Sequence, residues 1–235
     1  MTVATVQPPT VGEVGIFRRS THPRSAIVVA VVTFIVLIAV GLVLRPGQDE
    51  GIAREFNTLH TGVIGSVTSA MYHIFSPVPA VIVTILVAGV LWWGQDLRTG
   101  IAFGGVVAVT WLPTEVIKIV VHRARPDVAL LPHPFYPVQT DSSFPSGHTA
   151  FIVAFVIAAT YVARDTRWRA LVLVVGALLA MAVGLSLAID AVHYPSDILA
   201  SLVWALAVGP AARLVWVDWT LPRLPFLPQL PPEAN

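Results

Sequence analysis

Residues 26–44 read Ala26-Ile27-Val28-Val29-Ala30-Val31-Val32-Thr33-Phe34-Ile35-Val36-Leu37-Ile38-Ala39-Val40-Gly41-Leu42-Val43-Leu44, without a charge. A helix needs roughly 20 mostly apolar residues to cross the hydrocarbon of a bilayer. A surface helix of a soluble domain would carry a polar stripe at helical spacing, and this run has none. It ends at Leu44-Arg45-Pro46 and shows no small-residue cleavage site. It therefore reads as a retained anchor rather than a cleaved signal peptide.

Five further apolar runs follow, at about 78–94, 101–121, 148–163, 170–190 and 196–217. The chain is 56% hydrophobic and only 11% charged, whereas a soluble domain carries about 25% charged residues. The expected fold is all-α, an integral membrane bundle of about six transmembrane helices. Residues 1–25 read as a disordered cytoplasmic N-terminus, 26–217 as the membrane domain and 218–235 as a Pro-rich cytoplasmic tail. The fourth run is short, but its helix could extend a turn at its outer end. A net charge of +1 gives no case for nucleic-acid binding. The absence of cysteine excludes a disulfide framework, a thiol nucleophile and a thiolate metal site.

Three polar clusters interrupt this apolar chain. Lys118 and Arg125 carry fixed positive charge, and a planar guanidinium suits two phosphate oxygens. Ser146 and Gly147 stand where the fourth run begins; free backbone N–H groups at a helix start favour an anion, and glycine permits close approach. His148 and His193 can act near neutral pH as nucleophile, acid or base. Asp197 follows His193 by four residues, across Tyr194-Pro195-Ser196, and could hold one imidazole nitrogen so that the other faces the substrate. Together these residues supply what cleavage of an anionic phosphate ester requires.

The clusters resemble the three signature motifs of the type 2 phosphatidic acid phosphatase (PAP2) superfamily, K-x6-RP, PSGH and SR-x5-H-x3-D. Lys118, Arg125 and Pro126 match the first, and Pro145-Ser146-Gly147-His148 match the second. Ser186, His193 and Asp197 match the third, but Leu187 stands where the family has an arginine that clamps phosphate. The resemblance covers about residues 78–210. It implies His193 as nucleophile forming a phosphohistidine, Asp197 as its orienting partner and His148 as general acid. It implies Lys118, Arg125, Ser146 and Gly147 as phosphate ligands, with no metal and no cofactor. The implied activity is metal-independent hydrolysis of a lipid phosphomonoester or diphosphate, of polyprenyl diphosphate or phospholipid type. Transfer of the phosphoryl group to another acceptor, and phosphate-lipid binding without turnover, are the alternatives.

Two residues at variable positions within the motifs bear on Leu187. Arg123 is a candidate to replace the missing cation. Asp190 shares a helical face with Leu187 and His193, and could hold the Arg123 guanidinium or pair with a polar group of another span. A membrane-embedded acid is a functional candidate by default. Glu115, three residues before Lys118, is expected to pair with it.

Arginine placement gives the topology. Arg18, Arg19, Arg24, Arg98, Arg164, Arg167, Arg169, Arg213 and Arg223 fall on one side, against Arg45, Arg54, Arg123 and Arg125 on the other. The excess places both termini in the cytoplasm, with a multi-pass chain in the cell membrane and the active site on the extracytoplasmic side. Trp92, Trp93, Trp168, Trp216 and Trp219 fall at the inner interface, and Trp111 and Trp204 read as core. In the outer connection Ile52, Phe56, Leu59 and Val63 form one apolar stripe, expected on an interfacial helix. His60 and His73 read as solvated or packed, and His122 and His133 as solvated. Prolines 222, 225, 228 and 231 repeat every three residues, as on a polyproline II face.

Overall fold

The computed structural model describes residues 14–45 and 47–227. Within them the regular structure is helical: α1 (Pro23–Leu44), α2 (Glu50–Asn57), α3 (Gly62–Ile74), α4 (Pro77–Gly94), α5 (Leu97–Trp111), α6 (Pro113–Val121), α7 (Gly147–Val162), α8 (Arg169–Ile189) and α9 (Pro195–Arg213). Five stretches are long and apolar enough to span a membrane: Pro23–Leu44, Pro77–Gly94, Leu97–Val121, Arg169–Ile189 and Pro195–Arg223. The apolar helix α7 is shorter.

Helix starts follow local chemistry. Proline occupies the first turn of α1, α4, α6 and α9, where its missing N–H costs nothing. Asp96 caps α5 by accepting from Thr99 N at 2.9 Å. Pro113 divides the third span into α5 and α6, because its ring clashes with the preceding turn. α6 stops at His122, which adopts the left-handed conformation at φ 48°.

α7 is the axis of the bundle. It packs against α5, α8 and α9, and His148 through Ala154 are all buried. At 16 residues it is about 24 Å long, less than the ~30 Å hydrocarbon thickness. The outer extension is absent: Ser146 caps α7 through a bond from Thr149 N at 3.4 Å, and Phe144-Pro145 precede it. Burial among longer helices makes full span length unnecessary. α1 and α4, by contrast, bury only Leu37 and Gly41, and Ala80, respectively, so most of their apolar surface faces lipid. Close packing depends on Gly176, where a Cβ would come within 2.3 Å of Val156 Cγ1. Near the end of α9, Pro210 is followed by a π-helical turn, Leu214–Thr220. Trp216 there donates to Ile101 O at 3.0 Å, tying this end to α5.

The connecting and terminal segments have structure of their own. The Ile52–Val63 stripe is divided between α2 and α3 by a turn ending at Gly62, whose φ is +51°. Ile52 and Val63 remain exposed, while α2 and α3 pack on α8. In the N-terminal segment Gly15–Phe17 forms a 3-10 turn, Ile16 is buried, and Gly15 N donates to Asp165 Oδ2 at 2.7 Å. Residues 1–13 lie outside the described residues. In the tail, Leu221–Arg223 is a 3-10 turn and Leu227 is buried, so no polyproline II helix runs through Pro222 and Pro225. Prolines 228 and 231 lie outside the described residues.

Candidate active site

The three clusters meet at one end of the bundle, where α6 ends, α7 begins and the α8–α9 turn closes. His193 is completely buried. Its Nδ1 lies 2.9 Å from the Ser143 carbonyl oxygen. A carbonyl only accepts, so Nδ1 carries the proton and Nε2 presents its lone pair. Nε2 faces Arg125 Nη1 at 3.4 Å. Burial, reinforced by the cations Arg125 and Lys118, holds the His193 pKa well below its ordinary value. The ring is therefore neutral at physiological pH.

Arg125 is anchored by donating Nη1 to the Val192 carbonyl. Its Nε and Nη2 reach Asp141 Oδ1 at 3.1 and 2.8 Å. Lys118 Nζ lies 3.4 Å from Asp141 Oδ2 and, as expected, pairs with Glu115 at 3.6 Å. Asp141 thus bridges both cations of the first motif, in the manner of a phosphate. Burial raises the Asp141 pKa, but Arg125 and Lys118 outweigh it and hold the carboxyl below its usual range. Sequence reasoning missed Asp141, which lies outside the motifs and four residues before Pro145. Its negative charge beside a phosphate motif gave no signal as a ligand.

A Cβ on Gly147 would lie 3.6 Å from Lys118 Nζ, 3.8 Å from Glu115 Oε1 and 3.9 Å from Trp111 Nε1. The indole N–H of Trp111 is buried and without a hydrogen-bond partner. Trp111 therefore presents a donor at the Gly147 approach, beyond the core-packing role read from its position in a span. Ser146 is fully buried, with its Oγ accepting from Thr149 and its carbonyl from Ser201 Oγ at 2.9 Å. His148 sits with its ring centroid 6.2 Å from that of His193 and 4.6 Å from that of Tyr72. Its Nε2 is buried and has no partner, so this nitrogen is committed to no protein group.

Asp197 stands 3.7 Å from His193 Nδ1, beyond hydrogen-bond range. Its Oδ2 accepts from Tyr194 N at 2.9 Å, and its Oδ1 from Arg123 Nη1 at 2.6 Å. Ser143 supplies the direct orienting bond, and Asp197 organises the turn that carries His193. Ser143 O also had no sequence signal, because a backbone carbonyl is invisible to residue type.

Arg123 does not meet Asp190. Its guanidinium is fully buried, donates to Asp49, Ser196 and Asp197, and lies 3.9 Å from the Tyr194 ring centroid. Asp49 in turn accepts from Ser196 N and Oγ at 3.1 and 2.6 Å. With two carboxylates on it, Arg123 has a structural task. Leu187 is fully buried in the hydrophobic core. Asp190 is buried too, with His60 Nε2 at 3.4 Å from Oδ1. Burial pushes its pKa up to about 6, against the pull of Thr68, His60 and His73. His60 is packed, with Nδ1 at 2.7 Å from His133 O. Among the described residues no group of three or more His, Asp or Glu is placed to hold a metal ion.

Comparison with known proteins gives the chain's relatives. A bacterial undecaprenyl-diphosphatase, BcrC of Bacillus subtilis (strain 168), is 34% identical over 126 residues, covering 53% of this chain and 62% of that protein. The bacitracin transport permease protein BcrC of Bacillus licheniformis is 37% identical over 94 residues, 39% of this chain and 40% of that one. The chain thus spans less than two thirds of the length of these curated relatives. The crystal structure of a transmembrane PAP2-type phosphatidylglycerolphosphate phosphatase from Bacillus subtilis shares the fold, with a TM-score of 0.66 at 17% identity, covering 83% of this chain and 96% of that one. The PAP2 superfamily model matches residues 96–220, the segment that carries all three clusters, and the chain belongs to that superfamily.

Proposed function

We propose that this protein is a membrane phosphatase acting on a lipid phosphomonoester or diphosphate through a phosphohistidine intermediate. One observation carries the reading: His193 presents a neutral Nε2 beside Arg125, while Arg125 and Lys118 together already grip a carboxylate. A phosphoryl group taking the place of that carboxylate brings phosphorus to Nε2. Attack forms the N–P bond and breaks the P–O bond to the lipid, and His148 gives its proton to the leaving oxygen. Water then cleaves the N–P bond, with His148 as base, and releases inorganic phosphate. Lys118, Arg125, the Trp111 N–H and the backbone at Gly147 stabilise the equatorial oxygens. The charge comes from these side chains, and the mechanism is metal-independent.

The relatives named above support a polyprenyl diphosphate or a phosphatidylglycerolphosphate-type lipid as the substrate class. The arginine and tryptophan bias supports a site at the outer leaflet with both termini inside. A reporter active only outside is then expected to work when fused after Pro132 and to fail after Arg167. Leu187 favours a second reading, a relative that binds lipid phosphate with little turnover, since a lost charge ligand costs ~10²–10³ in rate. Phosphate release by the purified protein, from both lipid classes in excess EDTA, decides between them. Release supports the phosphatase; its restoration only by added magnesium or zinc refutes the mechanism; lipid binding without release under either condition supports the second reading.

A further inference from the structure

At the opposite end of α7 from His148, the bundle carries a second polar site. A cavity of 260 Å³ is lined by Arg18, Arg19, Arg164, Arg169 and Arg213, with Thr160 and Tyr161 at its inner wall. Arginine on this face accords with the usual charge bias of membrane proteins, but Arg213 is not a surface charge. Its side chain is 3% exposed. Nε donates to Ile16 O at 2.8 Å and Nη1 to Asp218 at 2.8 Å, while Nη2 is buried with no partner. Thr160 Oγ1, on the same cavity wall, is also buried and without a partner. An unmet charged donor in a protein interior is costly. A ligand oxygen can satisfy both donors. Asp165 accepts from Arg18 at 3.4 Å and does not line the cavity.

This basic cavity does not end at the membrane surface. Thr160, Tyr161 and Pro210 also line an apolar groove of 720 Å³ between α7, α8 and α9. The groove continues past Gly176, Ala180 and Leu202 toward Ala188 and Pro195. A free anion has no use for such a groove, and an uncharged chain has none for the arginines. We infer that the joined cavity and groove form a binding site for an anionic phospholipid, with the phosphate among Arg164, Arg169 and Arg213 and an acyl chain along α8. The arginine seat for the phosphate stands about 24 Å, the length of α7, from the catalytic end, while the groove runs on toward Pro195; that seat is separate from the phosphatase site and holds whether or not that reading does.

Native mass spectrometry of the full chain in detergent tests this, with phosphatidylglycerol and phosphatidylcholine as probes. Phosphatidylglycerol should be retained about 10-fold better, and Arg164→Gln with Arg169→Gln should lower retention about 10-fold. The unliganded melting midpoint of that double variant must match wild type; Ala177→Phe, which fills the groove, gives an independent reading and should weaken retention too. Lys118→Ala should retain the lipid. Equal retention of both lipids, or loss in Lys118→Ala with no loss in the arginine variant, overturns the site. Displacement by millimolar inorganic phosphate, with no effect of Ala177→Phe, reduces it to a free-anion pocket and overturns the lipid assignment.

Discussion

His193 donates Nδ1–H to the carbonyl oxygen of Ser143 at 2.9 Å, and this bond fixes which nitrogen faces the anion site. Fifty residues of sequence separate the two, yet the tautomer of the proposed nucleophile depends on their contact. Since the ring is buried beside Arg125 and Lys118, its pKa lies well below the ordinary value.

His193→Ala is expected to abolish turnover and all acid-labile phosphoenzyme. His148→Ala should retain labelling with a substrate whose leaving group needs no proton. Because His193 is already neutral, lowering the pH from 7.5 to 5.5 should not remove the nucleophile. Phosphoenzyme formation with such a substrate is the measurement. A titration of that step with a midpoint near the usual histidine value, about 6.5, contradicts the buried neutral ring.

Asp141 holds the seat expected for phosphate and must yield it. Its carboxyl stays ionised at working pH, since its pKa is lowered. Asp141→Asn keeps the shape but removes the competing charge. Inhibition by inorganic phosphate or vanadate should tighten by about 2- to 5-fold, the effect of one moderate charge interaction in a partly exposed site. An unchanged inhibition constant excludes competition by the carboxylate.

Arg123 joins Asp49 and Asp197 inside the protein. Its removal leaves two carboxylates unpaired, which costs about 3–5 kcal/mol for a broken buried pair. Arg123→Ala should therefore unfold at a markedly lower temperature. Lys118→Ala should lose activity while its thermal midpoint stays near wild type. A stable Arg123→Ala protein with a selective loss of kcat/KM returns Arg123 to the phosphate site.

Asp190 has a folded pKa of about 6 against an unfolded value of 3.8. A carboxyl raised on folding favours the protonated native state, so its stabilising effect is present below the unfolded value and is lost as pH rises through the folded one. Relative to Asp190→Asn, wild type should lose on the order of 2–3 kcal/mol between pH ~4 and ~6 and then level off. Thermal midpoints of both proteins across pH 4 to 8 measure the difference. Parallel curves rule out the raised pKa.

The sequence by itself determined the membrane bundle and the candidates for its site. Apolar runs such as 26–44 fix spans because unpaired backbone polar groups cannot persist in lipid. Lys118, Arg125, His148 and His193 were legible because their chemistry is local to the residue and their motifs have fixed spacing. Only the tertiary structure decided the partners. Arg123 went to Asp49 and Asp197 rather than to Asp190, and Ser143 rather than Asp197 received the His193 proton. Spacing along one helix can put two residues on one face, but it does not say which loop folds over them. Asp49, Asp141 and Ser143 all come from connections between helices, whose paths are set by packing between distant segments rather than by periodicity. The basic cavity was legible only as a charge bias, because the depth of Arg213 depends on Ile16, Asp218 and the end of α7 closing around it.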